Sequence, residues 1–147
     1  MEKIAVYGSG TIGSCEATLI IGHGIPCTVI GHSERGLERC RKAVAQNWDD
    51  LIANGLASED NKAAALELLT VTNDPAALAG CTYVFEAVAE GTAEKQAVYE
   101  AIAEYAEPDA VVASCRWWRS SATKRRRSPP LTGRWRCWKP STVRWWC

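Results

Sequence analysis

The chain has 147 residues, a formal net charge of zero and 47% hydrophobic residues, enough for one domain with a real core and too few for a two-domain build. The zero averages two unlike parts. Before Cys115 there are 7 Lys+Arg against 17 Asp+Glu, a net charge of −10, whereas Cys115 to Cys147 hold 10 basic residues, no acidic one and six of the seven tryptophans. No apolar run approaches transmembrane length, and Ile4 to Tyr7 passes straight into glycines instead of into a signal-peptide core, so a cytoplasmic body is expected. Cys15, Cys27, Cys40 and Cys81 are isolated from one another and read as reduced thiols, with Cys27 and Cys40 packed inward. No C-x-x-C spacing occurs, so no metal site is expected.

In chain order, Ile4 to Tyr7 predicts a first strand, and it runs into Gly8, Gly10 and Gly13 at G-x-G-x-x-G spacing. Each glycine has its own physical task in such a turn. Gly8 permits the tight bend, Gly10 lets backbone approach a pyrophosphate, and Gly13 lets the next helix lie close to the strand. Thr11 to Ile21 supplies that helix, whose first residues, Thr11, Ile12 and Gly13, turn their amides and the positive end of the helix dipole toward a phosphate. The placement, directly after a strand and before a helix, is the context a dinucleotide-binding turn requires; a plain Gly-rich βα turn is the competing reading.

Gly22-His23-Gly24 ends the helix, with His23 favouring the C-terminal dipole and not a catalytic role, and Pro26 precedes a second strand, Cys27 to Ile30. Ser33 caps a long helix, Glu34 to Ala53, with Leu37, Cys40, Val44, Trp48, Leu51 and Ile52 along one stripe. Asn54-Gly55 ends it, and Ser58 to Leu69 predicts a further helix. A short strand, Thr70 to Thr72, a short helix, Pro75 to Leu78, and a fourth strand, Thr82 to Phe85, follow. Gly91 to Tyr105 predicts an amphipathic helix and Ala110 to Ala113 a fifth strand. Alternating strands and helices indicate an α/β, Rossmann-like doubly wound parallel sheet over residues 1–114.

In such a fold the second strand commonly ends in an acid that accepts from the ribose hydroxyls. Here that position is Gly31, and the neighbouring His32, Ser33 and Arg35 are able to donate to a 2′-phosphate, a pattern that leans to NADP. Glu34 is close enough in sequence to serve the ribose instead, so on these residues NAD and NADP both stay open.

The glycine turn, together with Val84-Phe-Glu-Ala-Val-Ala-Glu90 and Lys95, resembles the N-terminal domain of 3-hydroxyacyl-CoA dehydrogenases, over residues 2 to about 114. The resemblance implies NAD as cofactor, with Gly8, Gly10 and Gly13 under its pyrophosphate and Glu90 and Lys95 on its nicotinamide side. An ordinary exposed ion pair is the structural alternative for those last two. The resemblance also implies oxidation of the 3-hydroxyl of an acyl-CoA to a ketone, as in fatty acid metabolism, by a His supported by a Glu, with Ser and Asn binding the forming carbonyl oxygen. In the family those groups follow the fifth strand, in Ser-Asn-Thr-Ser-Ser and His-Phe-Phe-Asn-Pro segments and in a helical domain that carries substrate and homodimer contacts.

Here Ser114 is followed by Cys115-Arg-Trp-Trp-Arg119, and the resemblance stops. No catalytic residue is therefore assigned, and weak or absent turnover by this chain alone is expected. Residues 115–147, with Lys124 to Arg127 and three tryptophan clusters, are expected to form no folded domain. The favoured reading of this tail is a frameshift in a G+C-rich gene, since loss of pattern in mid-motif with abundant Arg, Trp, Cys and Pro is what such a shift produces. A nucleic-acid arm, with arginines for phosphates and tryptophans for bases, is the second reading, and a membrane-surface segment the third. Neither nucleic acid nor membrane is the expected partner; a dinucleotide- or nucleic-acid-binding module without enzyme activity is the alternative function.

Overall fold

A computed structural model describes residues 3–88 and 92–114. Gly91, the expected first residue of the helix that runs to Tyr105, and the whole 115–147 segment lie outside the described residues. Five strands, β1 (Ile4–Tyr7), β2 (Cys27–Ile30), β3 (Leu69–Thr72), β4 (Tyr83–Glu86) and β5 (Val111–Ser114), form one parallel sheet in the order β3-β2-β1-β4-β5. Ile4 pairs with Cys27 on one side and Tyr83 on the other, so β1 is the central strand and its end, Tyr7, lies between Ile30 and Glu86.

The strands are apolar because both faces of the sheet are covered. On one face Val6, Cys27 and Val29 pack against α1 (Thr11–Gly22), α2 (Glu34–Ala53) and α3 (Glu59–Glu67) through Ala17, Ile21, Cys40, Val44, Trp48 and Ala65. On the other, Ala5, Ile30, Val84 and Val112 meet Leu78 of a 3₁₀ turn, Pro75–Leu78, and Val98 and Ile102 of α4 (Thr92–Tyr105). This is the doubly wound, Rossmann-like arrangement expected from the alternation of elements. Burial pushes the Cys27 thiol up to about 12, helped by Cys40 and Cys81, which makes it an inert core group.

Local chemistry explains the boundaries. Ser33 Oγ accepts from Gly36 N–H at the start of α2, and Ser58 and Asn61 form a reciprocal capping box at the start of α3. The stripe along α2 is buried at Leu37, Cys40, Val44 and Trp48, while Leu51 and Ile52 are half-buried. The helix expected through Leu69 ends at Glu67, because Leu69 pairs with Cys27 and the Leu68 carbonyl accepts from Cys27 N–H at 3.0 Å. Backbone pairing with a buried strand outweighs the helical preference of leucine there. β4 and β5 each lie one residue further on than their sequence patterns suggest, which brings Glu86 and Ser114 into register at their ends.

Ile30 is 1% exposed and Leu56 is 75% exposed. Ile30→Ala is therefore expected to lower unfolding free energy by about 2–5 kcal/mol. Leu56→Ala should stay within about 0.5 kcal/mol. Urea denaturation of both variants checks the contrast.

Candidate functional site

The site lies at the C-terminal ends of β1, β2 and β4. Gly8 N–H donates to the Ile30 carbonyl at 2.8 Å and Ala87 N–H to the Tyr7 carbonyl at 2.8 Å, so the turn after β1 is held by both neighbouring strands. Gly8 has φ +135°, and a Cβ there would lie 2.4 Å from the Ala87 oxygen. A Cβ on Gly13 would lie 1.8 Å from the Gly8 oxygen. Both positions exclude any side chain: the first because of the bend, the second because α1 rests directly on the turn.

Gly10 differs. It is the N-cap of α1, its backbone is extended, no side chain caps the helix and no acid sits in the first turn. A Cβ on Gly10 would have no atom of the described residues within 4 Å. The first amides of a 12-residue helix thus have no side-chain cap among the described residues and start beside the open space at Gly10, a cradle suited to an anion with a backbone-close approach. Thr11 and Ile12, the first helical residues, are exposed beside it, Ile12 at 44%. This arrangement fits the pyrophosphate of a dinucleotide. Gly31, His32 and Ser33 stand at the end of β2, with Gly31 N–H bonded to the Thr72 carbonyl at 3.0 Å and His32 exposed.

The far side of the turn holds a group the motifs alone did not single out. Glu86, the last residue of β4, is fully buried, and its carboxylate is surrounded by donors. Oε1 accepts from Val88 N–H at 2.9 Å; Oε2 accepts from Ser114 Oγ at 2.6 Å, Tyr99 Oη at 3.2 Å and Lys95 Nζ at 3.3 Å. Burial works to raise its pKa, but the Ser114 hydroxyl, the Val88 amide and the Lys95 ammonium together outweigh burial and hold it below the usual carboxylate range. Lys95 and Tyr99 reach the same oxygen because residues four apart share one face of α4. Lys95 is thus in an ion pair with Glu86, while Glu90 lies outside the described residues. The available clue to Glu86 was a charged residue ending an otherwise apolar strand.

A family model described as "3-hydroxyacyl-CoA dehydrogenase, NAD binding domain" matches residues 3–117. The chain belongs to that family. It is 30% identical over 115 residues to a 3-hydroxybutyryl-CoA dehydrogenase of Mycobacterium tuberculosis, covering 78% of this chain and 40% of the relative. It is 34% identical over 113 residues to an L-carnitine dehydrogenase of Staphylococcus epidermidis, covering 76% and 34%. The crystal structure of M. tuberculosis FadB2 superposes with a TM-score of 0.74 at 30% identity, over 78% of this chain and 40% of that one. The chain thus spans about two fifths of the length of the first of these relatives, and the matched part is the family's NAD-binding domain, a nicotinamide dinucleotide fold. No helix among the described residues is long and apolar enough to cross a membrane.

Because the folded pKa of Glu86 lies below the ordinary value of 4.5, its stabilising contribution is complete above that pH and is lost as pH falls through the lower folded value. The melting-temperature gap between the wild type and Glu86→Gln should be widest near neutral pH and shrink below about pH 4. Thermal unfolding at several pH values measures it; a gap independent of pH would contradict the ionised assignment.

Proposed function

We propose that the C-terminal edge of the sheet binds a nicotinamide dinucleotide, and that the domain serves as the cofactor-binding part of an oxidoreductase that converts a 3-hydroxyacyl-CoA, or a related 3-hydroxy acid, to its 3-keto form. The observation that carries this reading is the open space over Gly10 at the uncapped start of α1. There the amides of Thr11, Ile12 and Gly13 take the pyrophosphate, and Gly8 and Gly13 leave the backbone room to do so. The family description names NAD, which is the cofactor we assign to the site. When bound, it supplies a hydride acceptor; the chain's own residues bind and orient it.

We assign Lys95 and Glu90 to the nicotinamide side, as the family resemblance implies. Support comes from Lys95, which Glu86 anchors at the end of β4, next to the strand that leads into the glycine turn. The substrate class is supported by the relatives, a 3-hydroxybutyryl-CoA dehydrogenase and an L-carnitine dehydrogenase. The general base, the oxyanion-binding groups and the homodimer contacts belong, in this reading, to the part of the family beyond the matched domain. Unpaired Cys15, Cys27, Cys40 and Cys81 suit a cytoplasmic protein.

Gly10→Val separates binding from folding. The Cβ it adds meets no atom of the described residues within 4 Å, so stability should change by no more than about 1 kcal/mol. It fills the anion cradle, and NADH affinity, followed by nicotinamide fluorescence, should fall by at least roughly tenfold, the equivalent of 1.4 kcal/mol. Unchanged NADH binding by a folded Gly10→Val variant would overturn the placement of the pyrophosphate.

A further inference from the structure

The end of β2 is built differently from what the general dinucleotide fold calls for. Its last position is where an acid commonly accepts from the ribose hydroxyls and, by its charge, repels a 2′-phosphate. Here the position is Gly31, and a larger residue would require the side chains of Ser9 and Leu37 to move. A Cβ on Gly31 would lie 2.6 Å from Ser9 Oγ, 2.9 Å from Ser9 Cβ and 2.8 Å from Leu37 Cδ2. A Cβ on Gly36 would lie 3.0 Å from the same Ser9 Oγ and 3.0 Å from Ser33 Oγ. The side chain of Ser9, the second residue of the glycine turn, therefore occupies the space between two glycines. A neutral hydroxyl stands against the position from which a side-chain carboxylate would have to start.

The charges nearby follow the same direction. Glu34, the nearest acid in sequence, has its Oε1 accepting from Asn73 Nδ2 at 3.2 Å, on the β3 side. His32 and Arg35 are exposed on either side of Ser33, and among the described residues neither makes an ion pair or a side-chain hydrogen bond. A guanidinium without an internal partner beside a ribose subsite without a carboxylate is the combination that accommodates a 2′-phosphate.

We infer that the ribose end of this site does not discriminate against the 2′-phosphate, so that the chain binds NADP(H) as readily as NAD(H), with Arg35 as the residue that contacts the extra phosphate. The inference rests on the dinucleotide reading above and extends it. The acid that would select NAD is disfavoured by packing, because Ser9, Gly31 and Gly36 fit one another as a set.

The test is a pair of fluorescence titrations of the full chain, with NADH and with NADPH, at one fixed ionic strength. The inference expects NADPH to bind within about threefold of NADH or tighter, and NADPH weaker by more than that overturns it. Arg35→Gln should weaken NADPH by about tenfold and leave NADH unchanged, since one charge-assisted contact is lost from one ligand only. Equal loss for both, or no loss, overturns the role given to Arg35. A Ser9→Gly/Gly31→Asp double variant should restore preference for NADH, and the single Arg35→Gln variant keeps the test intact if the double variant does not fold. Binding of neither nucleotide would instead overturn the dinucleotide reading, and this inference with it.

Discussion

The contact between α1 and the turn after β1 determines what the rest of the molecule does. Gly13 sits so close to the Gly8 carbonyl that a single added carbon would be 1.8 Å from it, and this proximity aims the start of the helix at the space beyond the sheet. Everything on the first face follows from it. Ser14, Ala17 and Thr18 are small enough to let α1 lie on the strands, Thr18 Oγ1 accepts from Asn47 Nδ2 at 2.9 Å, and α2 is thereby brought against α1. Close packing of this kind has no slack, because interiors are filled to the density of organic crystals.

The second constraint is a charge. Glu86 is fully buried, an arrangement that costs several kcal/mol for an isolated carboxylate and is tolerated only when its oxygens are hydrogen-bonded and paired. Four donors meet it, from the loop after β4, from α4 and from the end of β5. The same contacts that satisfy the carboxylate fix Lys95 and Ser114 at the edge of the sheet. One buried acid thus joins three elements on the side of the turn opposite to the ribose subsite. The two sides are unlike: one organised by a carboxylate, the other by glycines and a serine that disfavour a carboxylate.

Much of this was legible in the residues because it is local. Gly8, Gly10 and Gly13 announce a strand, a turn and a helix within ten residues, and Ser33 and Ser58 mark helix starts through caps that need only their neighbours. The residues that the sequence misassigned or passed over depend on partners far away along the chain. Leu69 looks helical until Cys27 pairs with it, 42 residues earlier. Glu86 has no visible role until Ser114 arrives 28 residues later, and Gly31 looks like a simple loss of an acid until Ser9 is seen to pack against it. Spacing reports faces of helices and strands; it does not report which side chains from separate elements share one volume.

The central claim is that the first amides of α1 hold the pyrophosphate of a nicotinamide dinucleotide. Backbone amide resonances of the ¹⁵N-labelled chain, recorded with and without NADH, test it most directly. The account predicts that the largest shifts fall on Gly10, Thr11, Ile12 and Gly13, with smaller ones at Gly31 and His32. Shifts confined to other surfaces, or none at saturating NADH, would contradict it.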